Sequence, residues 1–94
     1  VITAIVLIKT DVARIDEVAR EIAALDGVSE VYSITGEYDL VAMVRVREHE
    51  RLAEVIPGRI NKVPGIRDTE THIAFETYSQ HDLEAAFSLG LPEE

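Results

Sequence analysis

Three observations predict an α+β fold, a ferredoxin-like βαββαβ sandwich whose four-stranded antiparallel sheet carries two helices on one face. The chain matches itself at a shift of about 38 residues. Within each copy the apolar period changes from strand to helix and back to strand. Two of the strand segments are apolar on both alternating sets, as strands in the middle of a sheet are.

The repeat aligns Ile2, Ala4, Val6 and Ile8 with Leu40, Ala42, Val44 and Val46. It aligns Val18, Ile22 and Leu25 with Ile56, Ile60 and Val63, and Gly27-Val28 with Gly65-Ile66. Ile2 to Lys9 reads as strand one. Val12, Ile15, Val18, Ala19, Ile22 and Leu25 then recur at spacings of three and four, which puts them on one stripe of a helix. Asp11 stands where an N-cap belongs, and Gly27 ends the helix because a left-handed residue there is cheapest without a Cβ. Val28 to Thr35 is strand two.

Tyr38 to Val46 reads as strand three, and a second helix from Glu48 to Lys62 turns Leu52, Val55, Ile56, Ile60 and Val63 inward. Pro57 interrupts it, so a kink is expected at Pro57-Gly58. Pro64-Gly65 closes that helix. Ile66 to Tyr78 is strand four, with Thr71, Ile73 and Phe75 alternating against Glu70, His72 and Glu76. Two right-handed βαβ units join compactly in the split arrangement, giving strand order 4-1-3-2. Residues 1–78 form this domain, and 79–94 form a tail in which Ser79 to Leu91 reads as a short helix.

A chain of 94 residues has room for one core, and with 5% aromatic residues that core must be layered from Ile, Val, Leu and Ala. Without cysteine there are no disulfides, thiolate nucleophiles or thiolate metal sites, and a reducing cytoplasm is the natural compartment. No apolar run approaches the roughly 20 residues that span a bilayer, and Val1 to Ile8 lacks the basic flank and cleavage site of a signal peptide. The expectation is therefore a soluble protein. A net charge of −9 opposes the counterion release that drives nucleic-acid binding, so the domain is not expected to hold DNA itself.

With both helices on one side, the second face of strands one and three would leave one of their two aliphatic sets, Ile5 and Leu7 with Val41 and Met43 or Ala4 and Val6 with Ala42 and Val44, in water. Such a face measures about 450 Å², the size at which an apolar patch signals an interface. A second copy is the simplest cover, since a two-fold contact needs one self-complementary patch. The tail, with Leu83, Ala86 and Phe87 on one side, is the other candidate.

Ligand chemistry points to the hairpin Thr35-Gly36-Glu37-Tyr38-Asp39. A positive φ at Gly36 would turn successive N–H groups toward one point and favour an anion. Asp39 would receive an ammonium, and Tyr38 would form a flat wall, which together suit a free amino acid. A plain hairpin turn with a polar tip is the alternative reading of the same residues.

The βαββαβ order, the segment Gly27 to Leu40 (GVSEVYSITGEYDL) and the later Val63 to Thr71 (VPGIRDTET) resemble the effector-binding (RAM, ACT-like) domain of the Lrp/AsnC feast/famine transcription regulators. The resemblance covers Ile2 to Tyr78. It implies dimers through the sheet face, rings of eight or ten subunits, and an amino acid or related metabolite bound between dimers. It also implies that Gly36, Tyr38 and Asp39 line the pocket, with Tyr32, Thr69 and Thr71 reaching it from the edge strands. Regulators of that family carry a helix-turn-helix ahead of this domain, whereas this sequence starts at Val1. The expectation is a free-standing, non-enzymatic form that needs no cofactor and regulates transcription through full-length partners.

Other constellations are weaker. His49, His72 and His81 lack second ligands at metal-binding spacing. Ser79, His81 and Asp82 lie too close in sequence to form a relay, and Ser79 reads as a helix cap. A small dimeric α+β-barrel enzyme, such as a cofactor-free monooxygenase or isomerase, would need a catalytic His, Tyr or Arg facing the sheet. Strand one offers none, and strand three offers only Arg45. A purely structural oligomerisation adaptor is the third reading.

Overall fold

The computed structural model describes residues 1–78, so the expected tail helix, the cap at Ser79 and the group Ser79, His81 and Asp82 lie outside the described residues. Strands β1 (Ile2–Thr10), β2 (Val28–Ser33), β3 (Leu40–Val46) and β4 (Ile66–Ala74) alternate with helices α1 (Ile15–Ala23) and α2 (His49–Val55) in the order β1-α1-β2-β3-α2-β4. They form one antiparallel sheet ordered β2-β3-β1-β4, the split arrangement that the repeat predicts.

The two faces of the central strands differ as the helices require. Ala4, Val6 and Ile8 on β1 pair with Val44, Ala42 and Leu40 on β3, and all six are fully buried beneath Val18 and Ile22 of α1 and Val55 of α2. Burying side chains of this kind stabilises the fold by about 1.5–3 kcal/mol each. On the other face Ile5, Leu7, Val41 and Met43 are only half-buried. This open face is the apolar surface expected from the doubly apolar strands.

β2 departs from simple alternation for a visible reason. Val28 pairs with Val44 and Val31 pairs with Ala42, so both lie on the helix-covered face although they are three residues apart. A bulge between Val28 and Glu30 absorbs the extra residue, Ser29.

Both helices are shorter than predicted. The first is split: Val12–Arg14 is a 3-10 turn and only Ile15–Ala23 is α-helical, with Arg14 off the helical conformation at φ −120 and ψ 13. A 3-10 turn advances three residues per turn, so Val12 leaves the apolar stripe and is 83% exposed. Asp11 precedes the turn but its side chain makes no cap. Its carboxylate instead meets Arg67 Nε at 2.9 Å. Gly27 does end the segment, with φ +96.

In the second helix Pro57 breaks where a kink was expected. The α-helix stops at Val55, and a separate 3-10 turn occupies Ile60–Lys62. Pro57 has no N–H to donate and its ring crowds the preceding turn. Beyond the proline Arg59 N still donates to Val55 O across the helical span, but Asn61 N donates to Ile56 O, one residue further back than in an α-helix. Ile56, Ile60 and Val63 nevertheless stay buried.

The strand ends retreat as well. Residues 34–39 belong to the hairpin, so β2 stops at Ser33 and β3 starts at Leu40. β4 ends at Ala74, opposite Thr3, and Phe75 and Tyr78 project into solvent.

Candidate ligand-binding site

The hairpin joining β2 to β3 is held at the end of the sheet by the backbone. Ile34 N donates to Asp39 O at 3.0 Å, and Asp39 N donates to Ile8 O at 2.9 Å. Gly36 stands at the tip with φ +110, the left-handed region expected of it. An added Cβ there would meet nothing within 4 Å, so the tip is open.

Asp39 does more for the fold than its sequence context suggests. Its Oδ2 accepts the backbone N–H of Thr10 at 2.9 Å, satisfying a donor on a buried residue. Among the described residues its Oδ1 takes no hydrogen bond, and that oxygen can receive a ligand donor.

Tyr38 leans back over the open face. Its hydroxyl donates to Glu70 Oε1 at 3.3 Å, and Lys9 Nζ lies 5.6 Å from its ring centroid. Lys9 also donates to Glu37 Oε1 at 3.2 Å, and His72 Nε2 lies 2.8 Å from Glu70 Oε2. A polar rim of Glu37, Lys9, Tyr38, Glu70 and His72 thus borders the apolar patch. Water screens such exposed pairs, so they act mainly by fixing orientation.

The remaining expected site residues are dispersed. Thr69 and Thr71 pair with Ile8 and Val6, which puts them on the helix side of β4. Thr69 Oγ1 donates to Asn61 Oδ1 at 3.1 Å. Tyr32 pairs with Val41 on the open face of β2, at the opposite edge of the sheet. One protomer therefore brings Gly36, Tyr38 and Asp39 together, places Thr69 at the same end beyond β1, and separates Tyr32 and Thr71 from them.

Sequence reasoning passed over Lys9 and Glu70. Lys9 is the one charged residue in β1, and a lone cation at the end of an aliphatic strand was the available signal. Glu70 gave none, since its contact with Tyr38 depends on how the hairpin folds back.

The protons on this rim are held tightly. Hydrogen bonding to Glu37, reinforced by its charge, raises the Lys9 pKa. Burial, then the charge of Glu70, raises that of Tyr38. Tyr32 is raised first by its hydrogen bond with Glu30, and Tyr78 by its hydrogen bond with Glu76. All three tyrosines of the chain therefore hold their protons above the ordinary value of 10.0. A folded state that binds more protons than the unfolded one keeps this contribution in full below the unfolded pKa and loses it as pH rises through the folded pKa. Phenolate absorbance, free of tryptophan in this chain, is expected to titrate later in the native protein than in denaturant. Coincident curves would remove these contacts.

The family model described as Lrp/AsnC ligand binding domain matches residues 3–83. The chain belongs to this family. This Lrp/AsnC domain is 32% identical over 77 residues to the HTH-type transcriptional regulator FL11 of Pyrococcus horikoshii, a match covering 82% of this chain and 50% of that protein. It spans about half the length of the curated relatives it matches. Among solved structures, TTHA0845 of Thermus thermophilus superposes with a TM-score of 0.80 at 44% identity, over 85% of this chain and 100% of that one. E. coli AsnC superposes with a TM-score of 0.76 at 25% identity, over 81% and 52% of the two chains. The ferredoxin-like architecture of the Lrp/AsnC domain is thereby established, and its named relatives are transcriptional regulators. Among the described residues, no helix is long and apolar enough to cross a membrane.

Proposed function

We propose that this Lrp/AsnC domain pairs with a second copy through its open face, and that a free amino acid or a related metabolite binds at the hairpin end between such pairs. One observation carries the reading. The hairpin presents an ammonium acceptor (Asp39 Oδ1), a flat wall (Tyr38) and an open glycine tip (Gly36), while the other expected ligand-binding residues, Tyr32, Thr69 and Thr71, lie on other faces and edges of the protomer. A pocket assembled from these pieces needs walls from more than one chain.

Closed rings of eight or ten subunits would meet that need by repeating a single contact between dimers. The ligand would then shift the assembly by binding one arrangement more tightly than another. The domain would act by binding, without catalysis, in a cytoplasmic setting that suits a chain with no cysteine. At −9 it would leave DNA contact to partner chains bearing a DNA-binding segment, such as full-length Lrp/AsnC regulators.

The test follows from the double duty of Asp39. Asp39→Ala would strip the acceptor from the buried Thr10 N–H and cost about 1–3 kcal/mol of stability, mixing folding with binding. Asp39→Asn keeps an oxygen for Thr10 and removes the charge. In calorimetric titrations with the common amino acids, saturable binding to the native protein should weaken about tenfold or more in Asp39→Asn, with the assembly unchanged. Equal affinity in the two proteins would remove Asp39 from the site.

A further inference from the structure

A cavity of about 480 Å³ opens at the end of the sheet opposite the hairpin, where the start of β2, the end of β3 and the start of α2 meet. None of Tyr32, Gly36, Tyr38, Asp39, Thr69 or Thr71 lines it. Its volume lies within the range of small-molecule sites, about 300–1,000 Å³.

Three of its nine lining residues are arginines, set beside the carboxylates of Asp26 and Glu48. Arg45, Arg47 and Arg51 all face it, although the whole protein has only 9 Lys and Arg against 18 Asp and Glu. Two of the guanidinium groups are oriented in advance. Arg45 Nη1 lies 2.9 Å from Glu30 Oε1, and Arg51 bridges Asp26 Oδ2 at 3.1 Å and Glu54 Oε2 at 2.9 Å. Arg47 enters no ion pair among the described residues. In a chain with two carboxylates for every cation, a guanidinium left over in a cavity is informative.

The backbone around it is shaped as well. Arg45 N donates to Gly27 O at 3.0 Å and ties the two rims together. The β2 bulge places Ser29, the extra residue of the ladder, in the lining. Bulges of this kind commonly re-aim a side chain beside a site.

We infer that this cavity binds a small oxyanion, a carboxylate or phosphate group of a metabolite, independently of the effector site proposed above. Arg47 supplies the planar fork that pairs with two anion oxygens, and Ser29 offers a hydroxyl donor. Arg45 and Arg51, already neutralised by their carboxylates, set the positions of the walls. Glu48 on the rim accepts a hydrogen bond from an OH of the ligand, which inorganic phosphate has and fully ionised malonate lacks.

The test is an NMR titration of the full chain with inorganic phosphate and, separately, with malonate. Saturable shifts are expected at the amides of Gly27, Ser29 and Arg47. In Arg47→Gln, a substitution at an exposed side chain that the fold does not need, affinity should fall about tenfold or more. Asp39→Asn should leave this titration unchanged, so failure here and failure of the effector reading are separable. Saturation by phosphate alone assigns a phosphate ligand, and saturation by malonate alone assigns a carboxylate. Shifts that never saturate, that spread equally to distant cations such as Arg20, or that persist unchanged in Arg47→Gln would overturn the inference.

Discussion

Val41→Glu is expected to abolish the proposed pairing and leave protomers in sedimentation at micromolar concentration, while the far-ultraviolet circular dichroism stays native. Val41 stands at the middle of the open face, paired with Leu7 on one side and Tyr32 on the other. It is half-buried in the protomer, so a carboxylate there can reach water until a second sheet closes over it. Once covered, an unpaired buried charge costs roughly 3–5 kcal/mol, and two-fold symmetry presents two of them facing each other. The smaller figure alone weakens pairing about a hundredfold. The effect within the protomer is limited to the β-propensity difference, on the order of 1 kcal/mol. A native protein that sediments as a well-folded protomer, or a Val41→Glu variant that assembles like the native one, would defeat the pairing through this face.

Gly27→Ala should destabilise the domain markedly more than Gly36→Ala, in urea unfolding monitored by circular dichroism. Both glycines hold a positive φ, at +96 and +110, so each alanine suffers backbone strain of about 1–3 kcal/mol. Only at Gly27 does the new Cβ also collide, lying 2.7 Å from Cγ2 of the fully buried Val55. Overpacking a core of this kind adds about 1–3 kcal/mol, giving a loss of roughly 2–6 kcal/mol at Gly27 against 1–3 at Gly36. Such a loss is a large part of the roughly 5–15 kcal/mol that ordinarily holds a domain together. Equal effects at the two sites would mean that α2 shifts easily and that Gly27 serves the chain reversal alone.

How much was legible in advance can be traced residue by residue. The alternation of Ala4, Val6 and Ile8 with Ile5 and Leu7 announced a strand with apolar side chains on both faces, and the structure places it centrally. Val12 misled because a stripe at spacings of three and four assumes α-helical phase from its first residue, and the entry here is a 3-10 turn. Pro57 suggests a kink where the chain in fact breaks, since local pattern does not say whether neighbours will bridge an interrupted helix. The hairpin residues Gly36, Tyr38 and Asp39 were legible as a group because they are adjacent in sequence. Thr10 N–H as the partner of Asp39 was not, because 29 positions separate them.

By itself the sequence determined the order of elements, the central and edge strands, the turns at Gly27 and Gly36 and the family, all of which rest on short-range periodicity and on residues with restricted or unusual backbone freedom. Only the tertiary structure decided which side chains share a face at the ends of the sheet. It tied Asp39 to Thr10, carried Tyr38 across to Glu70, and gathered Arg45, Arg47 and Arg51 around one cavity. Those relations depend on register, on one bulged residue and on where each helix stops, and a slip of one position in any of them would send the same side chains to the opposite face.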